Sequence, residues 1–130
     1  MQVEAIPYAL NGKKFEGQLC HDETARGPRA LLLMCPNWAG VTPRAIEIGR
    51  QLAAEGYVVM VADMHGLDRR PTGTENPMEF LAPLTGDPRE TRARVNAAMD
   101  ALIVSAFDVE VGHRRATCAR RVHGNEAGSG

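Results

Sequence analysis

The sequence predicts an α/β fold with a partly parallel sheet, on three observations. Two short and wholly apolar runs, residues 30–35 (ALLLMC) and 57–62 (YVVMVA), read as strands covered on both faces. The segment between them carries helix signals at both ends, which makes a βαβ unit. Ahead of the unit, Asn11-Gly12 joins two further segments in a β-hairpin.

Each element has its own reason. Residues 3–10 and 14–20 flank Asn-Gly, a pair that tolerates the positive φ angles of a type I′ turn. Residues 21–28 are polar and punctuated by Gly and Pro, hence a loop. After the first apolar strand, Thr42 stands at an N-cap position and Pro43 at the first helical position. Ala45, Ile48, Leu52 and Ala53 then recur at helical spacing, and Gly56 sits where a helix ends in the left-handed region. Strand, capped helix and strand make a right-handed crossover, so the two strands are expected to run parallel. Beyond Asp63 the chain is rich in Gly and Pro from Gly66 to Asn76. A short helix is expected over 77–84. Asp87-Pro88 then opens a helix over 88–103, with Val95, Met99 and Leu102 facing inward.

Composition narrows the class. At 130 residues the chain is one domain by length, with 44% hydrophobic and 24% charged residues, as in ordinary globular proteins. A formal net charge of -1 gives no reason to expect nucleic acid or an anionic membrane as partner. No apolar run approaches the roughly 20 residues that span a bilayer. The N-terminus lacks a basic-then-apolar signal pattern, so a cytoplasmic protein is expected. Cys20, Cys35 and Cys118 form no metal-ligand spacing. Cys35 ends an apolar run and is expected to be a buried small hydrophobe.

The corner after residue 35, Pro36-Asn37-Trp38-Ala39-Gly40, holds the only tryptophan. A turn at the carboxyl end of a parallel strand is where open α/β sheets hold ligands. Asn37 and Trp38 would offer a polar amide and a rigid face there. The plainer alternative is that Trp38 caps the core and Asn37 braces its own turn. Asp63 reads as a structural turn residue, His65 as a loop histidine within reach of Asp63, and Arg69-Arg70 as a solvated pair.

The opening hairpin with Phe15-Glu16-Gly17, followed by LLLMCPNWAGVTPRAIEIGRQLAAEGYVVMVADMHG, resembles the N-terminal half of dienelactone hydrolase family proteins, over roughly residues 3–104. The resemblance implies a partial α/β-hydrolase fold, namely the hairpin and a βαβ unit of a parallel sheet with flanking helices. It also implies a hydrolase acting on a small-molecule ester or lactone without a cofactor or metal. In that superfamily one backbone N–H of the oxyanion hole comes from the loop after this strand, which would make Trp38 the donor. Asn37 and Trp38 would then contact the substrate. Asn37 stands where many family members carry a glutamate that interacts with the nucleophile, so the substrates of those members do not carry over.

The resemblance further implies a nucleophile elbow, G-x-C-x-G or G-x-S-x-G, soon after the helix that ends near Leu102. The chain instead reads IVSAFDVEVGHRRATCARRVHGNEAGSG. Cys118 lacks both glycines, Ser129 has no helix after it, and the span 124–128 has a glutamate at the nucleophile place. The expectation is therefore a hydrolase-type half-domain over 1–107, truncated before its nucleophile and inactive alone, with an irregular or disordered tail over 108–130. An out-of-frame reading diverging between Leu102 and Asp108 would explain that tail, since arginine outnumbers lysine 13 to 2, as GC-rich coding favours. A naturally short chain is the other explanation. A half-sheet also leaves an apolar edge open to self-association. Two further readings are a non-catalytic small-ligand binding or interaction module, and a flavodoxin-like phosphate binder. The last lacks the Gly-rich loop that cradles phosphate.

Overall fold

The computed structural model describes residues 1–25 and 27–129, with side chains described over 1–25 and 27–110. Four strands form one mixed sheet in the order β1-β2-β4-β3. The first pair, β1 (Gln2–Leu10) and β2 (Lys13–His21), is antiparallel. Asn11 and Gly12 turn between them at φ 51° and 80°, as the type I′ reading requires.

The βαβ unit follows as β3 (Leu31–Met34), α1 (Pro43–Ala54) and β4 (Val58–Val61). Strands β3 and β4 pair in parallel, Leu31 opposite Val58 and Met34 opposite Val61. The Thr42 side chain accepts the N–H of Ala45, and Gly56 N–H returns to the Ala53 carbonyl. Both ends of α1 are thus capped as expected. Its deepest stripe is Ala45, Gly49 and Ala53, while Ile48 and Leu52 flank it half-buried.

Alternation along β4 sends side chains to opposite faces of the sheet. Val59 packs with Cys20 and Ala53 under α1. Val58 and Met60 pack with Leu19 and Leu102 on the other face, under α3. The result is a sheet with helices on both sides. It explains why β3 and β4 are continuous apolar runs while β1 and β2 carry polar residues at intervals.

Helix α2 (Pro77–Thr85) starts at Asn76, whose side chain accepts the N–H groups of Met78 and Glu79. Helix α3 (Pro88–Ser129) starts with Asp87 Oδ1 accepting Glu90 N–H. Two expectations for α3 need correction. Met99 is 37% exposed and Ala98 fully buried, because Val95, Ala98 and Leu102 share the stripe that meets the sheet. The helix also continues past residue 103. Asp108, Val109 and Glu110 are helical rather than irregular, because Ala106 and Val109 extend the Leu102 stripe onto the same core. The remainder of the 108–130 segment lies outside the residues with described side chains. Among the described residues no helix is long and apolar enough to cross a membrane.

Tyr8 links the hairpin to the end of β4. Its hydroxyl donates to the Asp63 carbonyl at 3.0 Å and accepts the Asp63 N–H at 3.1 Å. Its ring stacks on Phe15 at 5.4 Å. Burial, the main cause, pushes the phenol pKa up to about 12. Tyr8→Phe keeps the ring stack and strips both hydrogen bonds from a half-buried peptide. It should lower stability by about 1 to 3 kcal/mol, read as an earlier urea midpoint at unchanged slope. An unchanged midpoint would mean that water replaces the hydroxyl at no cost.

Candidate active site

Because β3 and β4 are parallel, the segments that follow them emerge on the same edge of the sheet. The corner 36–40 follows β3, and Asp63, Met64, His65 and Gly66 follow β4. Asp63 is 2% exposed and holds this second segment in place. Its Oδ1 accepts the N–H groups of His65 (3.2 Å) and Gly66 (2.9 Å), and its Oδ2 accepts Glu16 N–H at 3.0 Å. Arg70 closes the arrangement with 3.3 Å to Oδ2 and 3.0 Å to the Glu16 carbonyl. Asp63 is thus a structural residue, as its turn position suggested, and Arg70 is its ion-pair partner rather than a solvated charge.

His65 does not turn its ring to Asp63. Its Nε2 lies 2.8 Å from the Trp38 carbonyl oxygen, so Nε2 carries the proton and donates, while Nδ1 is buried without a partner among the described residues. The ring is 3% exposed and meets the edge of Phe80 at 4.6 Å. Burial, the leading cause, lowers its pKa from 6.5 and keeps it neutral; the Trp38 carbonyl partly offsets this. Trp38 also meets Phe80, edge-on at 6.3 Å, and the Arg69 guanidinium covers that ring at 3.9 Å while donating to the Phe80 carbonyl. The start of α2 is therefore clamped over the corner. Neither Phe80 nor this role of His65 was legible in the sequence, since both depend on contacts across three separate segments.

The corner is a tight turn. Gly40 N–H donates to the Asn37 carbonyl at 2.9 Å, and Ala39 N–H donates to Asn37 Oδ1 at 3.0 Å. Gly40 closes it at φ 79°, a conformation that favours glycine. Trp38 N–H makes no hydrogen bond among the described residues. The two donors that follow it, Ala39 and Gly40, are used within the turn.

A cavity of about 260 Å³ lies between the corner and α2. Met64, Leu81 and Leu84 supply its apolar wall, and Cys35, Asn37 and His65 supply polar groups. The hydroxyls of Thr85 and Thr91, also on its wall, donate to the Leu81 and Leu84 carbonyls. Cys35 is exposed on this cavity and not the buried hydrophobe expected, because β3 ends at Met34 and the chain turns out of the sheet there. Desolvation still pushes its thiol upward, with no cation to favour the thiolate. The side chains of Cys118 and Ser129 lie outside the described residues. Among the described residues no group of three or more His, Cys, Asp and Glu is placed to hold a metal ion.

The sequence model of the dienelactone hydrolase family matches residues 15–114, which include both segments that build the corner. This chain belongs to the dienelactone hydrolase family. Of the solved structures similar to it, a protein named m3DLH superposes with a TM-score of 0.72 at 31% identity, over 78% of this chain and 42% of that one. P91, a dienelactone hydrolase-like promiscuous phosphotriesterase from metagenomic libraries, has a TM-score of 0.72 at 29% identity, with the same 78% and 42% coverage. The chain thus spans less than half the length of these relatives. No curated protein matches it. The partial α/β-hydrolase fold expected from the sequence is the fold observed.

The clamp on the corner has a pH signature. The unfolded chain takes up a proton on His65 below pH about 6.5 that the folded ring resists. The contribution of the neutral ring is therefore complete above that pH and is lost as pH falls through the lower folded value. His65→Gln places an N–H donor near the position of Nε2, so it should keep the Trp38 bond and lose this pH dependence. His65→Leu should lose the bond and about 1 kcal/mol. Thermal unfolding of the three proteins at pH 7.5 and 5.5 reads both effects. Equal pH dependence in wild type and His65→Gln would contradict a neutral buried ring.

Proposed function

We propose that this chain supplies the substrate-binding corner of a carboxylic ester or lactone hydrolase, with the Trp38 backbone N–H as an oxyanion-hole donor and Asn37 and Trp38 against the substrate. One observation carries the proposal. Trp38 N–H is unpaired among the described residues at the carboxyl end of β3, in a turn where the Ala39 and Gly40 donors are engaged and the Trp38 carbonyl is held by His65. In acyl transfer the carbonyl oxygen of the substrate becomes negative, and a fixed donor at that point lowers the barrier by about 3 to 4 kcal/mol.

A donor alone does not complete the reaction, which also needs a nucleophile and a base. Among the described residues the cysteine at the cavity, Cys35, has its thiol pushed up, and the lone pair of the nearby His65, on Nδ1, is buried and meets no nucleophile. The chain is accordingly proposed not to turn over esters by itself. The same observation favours, as second reading, a non-catalytic module that binds a small ligand at the corner. Reduced free thiols at Cys20 and Cys35 suit the cytoplasm as the place of action.

The outer edge of β3 is unpaired among the described residues, and Leu31, Ile103, Val104 and Phe107 are exposed large hydrophobics. Self-association through this edge is part of the proposal.

Two measurements check these statements. Purified chain should hydrolyse an activated aryl acetate no faster than buffer. Turnover abolished by a thiol reagent would place a nucleophile at Cys35 or Cys118. In sedimentation velocity the average mass should rise over a hundredfold concentration range, and a constant monomer mass would count against the β3 edge as an association surface.

A further inference from the structure

The orientation of the Asn37 amide is fixed by its own turn, and this decides what it offers a ligand. Oδ1 accepts Ala39 N–H at 3.0 Å. A flipped amide would set its NH2 group against that N–H, so the assignment follows from the donor it meets. The Nδ2 group therefore points away from the turn, and no partner for it exists among the described residues. Asn37 is exposed and lines the cavity under α2.

The rest of the lining leaves this amide as an uncommitted side-chain donor. Thr85 and Thr91 give their hydroxyl protons to backbone carbonyls, at 3.2 and 2.7 Å, and keep only lone pairs for a guest. The His65 donor nitrogen serves the Trp38 carbonyl. Among the described residues no Arg, Lys, Asp or Glu lines the cavity, and the nearby guanidiniums are engaged elsewhere, Arg69 on Phe80 and Arg94 on the Met64 carbonyl and Glu90. A guest with a net charge would meet Met64, Leu81 and Leu84 with no counter-ion, at a large desolvation penalty. At about 260 Å³ the space lies below the range that holds drug-sized molecules, so a guest is small.

We propose that the Asn37 side-chain amide donates a hydrogen bond to the carbonyl oxygen of a small uncharged ester or lactone seated in the cavity between the corner and α2. This rests on reading the corner as an ester site and adds a second donor, of side-chain origin, together with a preference for uncharged guests. A glutamate at this position would offer acceptors and a charge, whereas the asparagine offers N–H groups and none.

The test uses δ-valerolactone as the probe and its open form, 5-hydroxyvalerate, as the charged control, both read by Trp38 fluorescence and by the Asn37 side-chain NH2 resonance. Asn37→Asp keeps an oxygen for Ala39 N–H, so the turn and the melting temperature should survive while the donors vanish. The expected result is saturable lactone binding by wild type, with a shift of the NH2 resonance. Asn37→Asp should bind it at least about tenfold more weakly, and hydroxyvalerate should bind neither protein measurably. Equal lactone affinity in wild type and Asn37→Asp would overturn the role of Asn37 and leave the ester site standing. Hydroxyvalerate binding as well as the lactone would overturn the preference for uncharged guests. Lactone binding by neither protein would overturn the ester-site reading itself.

Discussion

The fold and the candidate site both depend on one buried carboxylate, that of Asp63. Its two oxygens bind three backbone N–H groups and a guanidinium, drawn from β2, from the segment after β4 and from Arg70. A buried charge is tolerable when its lone pairs are filled in this way, and costly when a partner is removed. The carboxylate therefore does more than end a strand. It fixes the direction in which the chain leaves β4, and that direction carries His65 under the corner. Tyr8 holds the Asp63 peptide from β1 at the same time. The corner after β3 is thus positioned through a relay, from hairpin to Asp63, from Asp63 to His65, and from His65 to the Trp38 carbonyl.

This relay gives the chain a defined place within the dienelactone hydrolase family. The family match over residues 15–114 takes in most of β2, the whole βαβ unit, α2 and the first part of α3. Among the described residues β3 is an edge of the sheet, and Leu31, Ile103, Val104 and Phe107 are exposed large hydrophobics. The contacts that hold the corner come from its own turn, from His65 and from Phe80.

Local signals were fully legible in the sequence, and long-range ones were not. Asn11-Gly12, Thr42-Pro43, Gly56 and the two apolar runs each encode a conformation through their own backbone preferences, and each element they predicted is present. The location of the corner was legible for the same reason. Met99 misled because helical spacing allows two adjacent stripes, and only the packing of Ala98 against Ala62 and Met64 chooses between them. The tail composition hid the continuation of α3, since Ala106 and Val109 are too sparse to declare a stripe until Leu102 anchors it. Cys35 looked buried by its apolar neighbours, yet the strand ends one residue before it. The roles of Asp63, His65 and Phe80 arise from contacts tens of residues apart, which no spacing rule encodes.

The central claim is that the corner is pre-organised with the Trp38 donor left free, and amide hydrogen exchange of the isotopically labelled chain tests it most directly. Ala39, Gly40, His65 and Gly66 should exchange slowly, because their N–H groups are held by Asn37 and Asp63. Trp38 N–H, between them in space, should exchange close to the rate of an unstructured peptide. Protection of Trp38 equal to that of Gly40 would contradict the account, since a donor already engaged within the protein is not available to an oxyanion.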